Sequence, residues 1–201
     1  KVGEQPAGGA TDVQDAGVRF YTYVTTIAYA MEAAARRHLP FYVLDHPNPL
    51  GAAAVQGPIL DDDLRSFTGY FPLPVRYGMT IGELATLLNA ENGIGAELHV
   101  VRMRGYARGR WYDDTGLAWV PPSPNLRSLR EATLYPAVGL LEGANVSVGR
   151  GTDTPFEVVG APWIDDATLV SYLNARRLPG VRFAPTTFLP DSDPYRGKRC
   201  R

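Results

Sequence analysis

The chain has 201 residues, 45% hydrophobic and 20% charged, a globular composition with enough length to bury a core. Twenty basic and 21 acidic residues leave a formal net charge of −1, so the basic excess of a general nucleic-acid binder is absent, and no apolar run approaches the roughly 20 residues of a membrane span. The single cysteine, Cys200, excludes a disulfide scaffold, and His38, His46 and His99 form no HExxH or HxH pair, so neither a metal nor a cofactor is expected.

Lys1–Ala10 holds no apolar leader core. From Tyr23 to Arg37, Ile27, Met31, Ala34 and Ala35 recur at helical spacing, and Pro40 ends the predicted helix. Phe41–Leu44 is a short apolar run, expected as a strand buried on both faces of a parallel sheet. Asp45-His46-Pro47-Asn48-Pro49 follows at its carboxyl end, where open α/β sheets place ligands. Residues 50–78 form a long Gly-, Pro- and Asp-rich connection, and a domain boundary is expected there, giving parts 1–57 and 58–201.

Thr80-Ile81-Gly82-Glu83 matches a capping box that opens a helix running to near Asn92. Leu98–Met103 reads as a strand, and Pro121, Pro122 and Pro124 keep the end of the stretch 104–125 irregular. Leu126–Leu141 should contain a helix with Pro136 near an end. Val146–Val148 and Val181–Pro185 read as strands, with a helix over Asp166–Arg177 between them. The fold class is therefore α/β.

Three stretches hold more polar residues than packing requires. Asp12–Tyr23 lies before a helix, where free backbone N–H groups favour an anion, and Asp15 and Arg19 either pair with each other or address a substrate. In Asp45–Pro49, His46 reads as a turn residue before it reads as a general base. The segment 142–157 carries Glu142, Asp153 and Glu157, with Arg150 between two glycines; it is neither a Walker A loop nor a nucleophile elbow, and a purely structural loop also accounts for it. Carboxylates among hydroxyls and aromatics are the equipment of glycoside hydrolysis, which uses one carboxyl as acid and another as base or nucleophile. Tyr21, Tyr23, Trp119 and Trp163 suit stacking on a sugar ring, or the core.

Asp-x-Gln-Asp-x-Gly-x-Arg-Phe-Tyr-Thr-Tyr at 12–23, Leu-Asp-His-Pro-Asn-Pro at 44–49 and Pro-Pro-Ser-Pro-Asn-Leu at 121–126 resemble one bacterial family. So does Glu-Gly-x-Asn-Val-Ser-x-Gly-Arg-Gly-Thr-Asp-Thr-Pro-Phe-Glu at 142–157, followed by Gly-Ala-Pro-Trp at 160–163. It is the family of NamZ-like exo-β-N-acetylmuramidases. The resemblance implies a partial Rossmann-like parallel-sheet subdomain followed by a smaller α/β subdomain, with the active site in the cleft between them. It also implies peptidoglycan-derived sugars as substrate, release of terminal N-acetylmuramic acid, and a periplasmic or secreted location.

On this reading Glu142 and Asp15 are the catalytic carboxyls. Arg19, Tyr21, Tyr23, Asn48, Asn125, Ser147, Arg150, Thr152, Glu157 and Trp163 bind the sugar, with Arg19 and Arg150 as forks for the lactyl carboxylate. A non-catalytic muropeptide- or glycan-binding module is the alternative. The chain departs from the family in three ways. It has no Pro-Glu-His-Gly segment, His46 stands where Arg is usual, and Gly8-Gly9-Ala10-Thr11 replaces the apolar strand expected before Asp12. Family members also run beyond Cys200, so this chain is expected to be a central part, with a half-built sheet edge near residue 12.

Overall fold

The computed structural model describes residues 8–201, so most of the stretch 1–10 read for a leader core lies outside the described residues. Two compact units divide the chain, residues 1–122 and 123–201. The first contains, in order, β1 (Gly9–Thr11), α1 (Tyr23–Arg36), β2 (Phe41–Leu44), β3 (Gln56–Ile59), β4 (Pro74–Arg76), α2 (Ile81–Glu91) and β5 (Leu98–Val101). β1, β2 and β5 form a parallel sheet in the order β1-β2-β5, with Thr11 opposite Val43 and Val43 opposite Val100. The boundary expected after residue 57 runs through this unit, because β5 pairs directly with β2.

A strand does lead into Asp12, contrary to expectation. Gly8–Thr11 lacks the apolar side chains of a buried strand, but parallel pairing needs only the backbone. A Cβ on Gly9 would lie 3.1 Å from the Phe41 ring, so the glycine lets the two strands approach around it. Among the described residues β1 is an edge strand of this sheet.

β2 departs from the reading in a second way: it is buried on one face only. Phe41 and Val43 are buried, whereas Tyr42 and Leu44 are 40% and 38% exposed. Both helices pack on the Phe41/Val43 side. Val24, Ile27, Ala28 and Met31 of α1, and Ile81, Leu84, Ala85 and Leu88 of α2, join those two residues in one hydrophobic cluster. The helical periodicity read from Ile27, Met31 and Ala34 is the face that does this. α2 starts at a complete capping box, with Thr80 Oγ1 accepting from Glu83 N–H and Glu83 accepting from Thr80 N–H. The long connection 50–78 is not wholly irregular. It holds β3 and β4, an antiparallel pair with a register irregularity, and Gly57 is required there because a Cβ would sit 2.7 Å from that of Val75.

The second unit is built from α3 (Leu129–Val138), α4 (Asp166–Ala175) and long ordered loops. A capping box of Ser128 and Glu131 starts α3. Pro136, within its last turn, has no N–H for the Ala132 carbonyl, and the helix gives way to a 3₁₀ turn over Gly139–Gly143. Leu126, Ala132, Tyr135, Val148, Phe156, Ala161 and Cys200 are buried, with the Tyr135 and Phe156 rings 4.6 Å apart. The strands expected at 146–148 and 181–185 do not form. Ser147 makes a single bridge to Gly160, and the Asn174 amide bonds both N–H and C=O of Phe183, which satisfies that backbone without a partner strand.

Candidate functional site

In the first unit the polar residues gather on the segments that leave the carboxyl ends of the sheet. The turn after β1 carries Asp15, a residue 4% exposed. Asp15 Oδ2 accepts from Gly17 N–H at 3.0 Å, while Oδ1 is buried and has no hydrogen-bond partner among the described residues. Burial pushes this carboxyl up to about 7, and the N–H groups of Gly17 and Ala16 pull only partly against it. Gly17 has φ +76°, and a Cβ there would lie 2.4 Å from Asn48 Oδ1, so the Asp15 turn is pressed onto the turn after β2.

Asn48 is buried, donates to Met79 C=O at 2.7 Å and accepts from Leu50 N–H at 2.9 Å. Both ends of this amide serve the turn. Its neighbour Asp45 lies at the start of α2, accepting from Gly82 N–H at 2.8 Å and Thr80 Oγ1 at 3.1 Å. His46 pairs with Asp12. Beside Asp45 a cavity of about 320 Å³ opens at the carboxyl ends of β2 and β5, lined also by Glu83, Arg102 and Tyr106. Nothing in the sequence marks Tyr106 or Glu83 as a site residue. Tyr106 sits in the Gly- and Arg-rich run 104–110, which has no period to reveal an inward face, and Glu83 read only as a cap.

Arg19 does not pair with Asp15. Its Nη1 donates to Pro58 C=O at 2.8 Å and to Leu73 C=O, tying this loop to the segments around β3 and β4, and burial lowers its pKa. The Tyr21 and Tyr23 hydroxyls both donate to Pro122 C=O, at 2.7 and 3.0 Å, with their rings edge to face at 4.7 Å.

In the second unit Glu142 lies in the 3₁₀ turn and faces Arg150. Arg150 Nε donates to one carboxylate oxygen and Nη2 to the other at 3.2 Å, a fork that raises the Arg150 pKa. The guanidinium also sits 4.9 Å from the Phe156 ring centre. Gly149 and Gly151 have φ +80° and +73°, and Cβ atoms there would meet Thr154 C=O at 2.8 Å and Asp191 Oδ1 at 2.2 Å. These contacts explain the glycines flanking Arg150 in packing terms. Ser147 Oγ accepts from Gly149 N–H at 3.3 Å, and Thr152 Oγ1 donates to Gly149 C=O at 2.6 Å. Glu157 pairs with Arg130 at 2.8 Å, and Asn125 N–H donates to Ser123 Oγ at 3.3 Å. Trp163 donates to Tyr195 Oη at 3.0 Å and is 61% exposed. Asp15 thus belongs to the first unit, and Glu142 and Arg150 to the second. Among the described residues, no group of three or more His, Cys, Asp or Glu could hold a metal ion, and no helix is long and apolar enough to cross a membrane.

Comparison with known proteins matches two family models in tandem: the N-terminal part of exo-beta-N-acetylmuramidase NamZ over residues 10–130 and its C-terminal part over 133–201. The peptidoglycan beta-N-acetylmuramidase NamZ of Bacillus subtilis is 50% identical over 189 residues, which is 94% of this chain and 46% of that protein. Two crystal structures of DUF1343 family proteins from Bacteroides fragilis superpose with TM-scores of 0.89 and 0.77 at 39% and 34% identity. Each alignment covers 95% of this chain, and 50% and 51% of the respective structure. The chain therefore spans about half the length of these relatives. With both family models matched in order, the chain belongs to the exo-β-N-acetylmuramidase NamZ family.

Proposed function

We propose that the protein is an exo-acting glycoside hydrolase that releases terminal N-acetylmuramic acid from peptidoglycan fragments. The 50% identity to a peptidoglycan β-N-acetylmuramidase across 94% of the chain carries this reading. A periplasmic or secreted location follows from such a substrate.

Asp15 supplies the acid. Leaving a glycosidic oxygen as an alcohol requires a proton, and a carboxyl held at about 7 still carries one near neutral pH. Its unpartnered Oδ1 is the atom with hydrogen-bonding capacity to spare. Glu142 is the second carboxylate of the reading. Both its oxygens face Arg150 in the free protein, so it acts once the muramic lactyl carboxylate draws the guanidinium away. The exchange swaps one carboxylate for another on the same fork and leaves Glu142 free to activate water.

Incubation of the full-length protein with a MurNAc–GlcNAc disaccharide, followed by chromatography and mass spectrometry, tests the proposal. Free MurNAc is expected. The non-catalytic glycan-binding module is favoured by one observation: Glu142 and Glu157 are each neutralised by an arginine. Calorimetric binding of the disaccharide without release would select that module, and neither binding nor release would sink both readings.

A further inference from the structure

A groove of the first unit lies at the opposite end of the sheet from Asp45 and Asn48. The carboxyl-terminal ends of α1 and α2 lead into the amino ends of β2 and β5, and between those two helix ends a cavity of about 780 Å³ is lined by Tyr29, Glu32, Arg36, Arg65, Tyr70 and Asn92, among others. That volume lies in the range of small-molecule sites and exceeds what one sugar ring fills. No lining residue of this groove is shared with the cavity beside Asp45.

Its chemistry is that of a saccharide site. The Tyr29 ring is 47% exposed and is held edge-on against Tyr70 at 5.7 Å, with Phe67 at 6.2 Å beyond it. Such an arrangement fixes an aromatic platform in place while nearly half of the residue stays exposed. Tyr70 donates to Glu32 Oε1 at 2.5 Å, so one oxygen of that carboxylate is committed and orients the other. Oε2 lies 3.7 Å from Arg36, whose side chain is 68% exposed. Arg65, from the loop across the groove, adds a second guanidinium, which donates through Nε and Nη2 to Asp62 Oδ1 and sits 5.5 Å from the Phe71 ring centre. An aromatic face takes the apolar side of a pyranose, a carboxylate accepts from its hydroxyls, and guanidinium groups take a carboxylate substituent. None of these groups takes part in the hydrolysis proposed above.

We infer that this groove is a second saccharide-binding site, which holds about two units of a carboxylate-bearing amino-sugar strand at a distance from the sheet's carboxyl edge. The inference rests on the peptidoglycan reading for the identity of the strand. A second hold on the polymer raises the effective concentration of its end at an exo-acting centre and leaves the chemistry there unchanged.

The test uses the full-length protein and two readouts. Peptide-free glycan strands measure polymer binding by co-sedimentation, and the MurNAc–GlcNAc disaccharide measures turnover. Tyr29→Ala and Arg36→Glu are each expected to weaken strand binding at least fivefold and to leave kcat/KM on the disaccharide within twofold. Tyr29→Trp, which restores a platform, is expected to bind strands as the wild type does. The more exposed Arg36 variant guards against a folding defect, since its side chain is largely in solvent. Strand binding that is unchanged in both Tyr29→Ala and Arg36→Glu overturns the inference, and the hydrolysis reading stands. Weakened strand binding in a protein whose wild type fails to cleave the disaccharide supports the groove while the hydrolysis reading falls. Equal binding of carboxylate-free chitin oligomers would overturn the anionic part of the assignment.

Discussion

Asp15 and Glu142 are both acidic residues in Gly-rich turns, yet the fold treats them in opposite ways. Asp15 is buried, keeps one oxygen without a partner and is held near neutrality in its titration. Glu142 is partly exposed and has both oxygens in an arginine fork. A buried, half-satisfied carboxyl costs the folded state free energy and so implies a use outside stability. A forked surface pair carries no such implication, because exposed ion pairs contribute only about 0–1 kcal/mol. The contrast favours Asp15 over Glu142 as the proton donor of the proposed hydrolysis.

The largest expected effect follows from that ranking. Asp15→Asn is expected to lower kcat for release of MurNAc by about 10³-fold, within the range of general-acid catalysis. The same variant is expected to be more stable than wild type in alkaline solution. A carboxyl raised from 3.8 to about 7 binds a proton in the folded state that the unfolded chain has released, so wild-type stability falls as pH rises through that window. The penalty is complete above pH 7, with an upper bound of ~4 kcal/mol. Melting temperatures of both proteins from pH 4 to pH 8.5 should therefore separate progressively up to pH 7 and then run parallel. A constant separation would remove Asp15 as the titrating group.

Gly17→Ala comes next. Its φ of +76° disfavours any Cβ, and the added carbon would lie 2.4 Å from Asn48 Oδ1. A loss of about 3 kcal/mol in urea unfolding is expected, from left-handed strain plus displacement of the buried amide. Glu142→Gln should have a smaller effect on catalysis than Asp15→Asn, about 30-fold in kcat/KM, with the fold intact. A larger fall than that of Asp15→Asn would invert the comparison between the two carboxyls.

Much of the scaffold was legible because its signals are local. The Thr80–Glu83 box, the Ile27/Met31/Ala34 face and the Phe41–Leu44 run each encode their element within a few residues. The errors lie where structure depends on distant partners. β1 is a strand because β2 is beside it, and nothing in Gly-Ala-Thr says so. The segment 181–185 has strand-like composition, but Asn174 meets its backbone needs first. At the site, residue types were readable and their engagements were not. Arg19 reads as a partner of Asp15 or of a substrate, whereas the carbonyls of Pro58 and Leu73 hold it, and Tyr106 is invisible until it lines the cavity beside Asp45.

The smallest effects separate the two helix caps. Ser128→Ala removes one acceptor from Glu131 N–H, while the Glu131 carboxylate continues to receive the N–H of Ser128, so a loss of about 1 kcal/mol is expected. Thr80 has a second duty that Ser128 lacks: its hydroxyl also donates to Asp45 Oδ2. Thr80→Ala therefore leaves that carboxylate one bond short beside the cavity at the sheet's carboxyl edge, and the cost should exceed that of Ser128→Ala by about 1 kcal/mol. Thr80→Ser keeps both bonds and should recover most of it. If the two alanine variants unfold at the same urea concentration, Asp45 is fully held by Gly82 N–H and solvent. The cap of α2 would then be a helix start like that of α3, with no energetic tie to the residues around it.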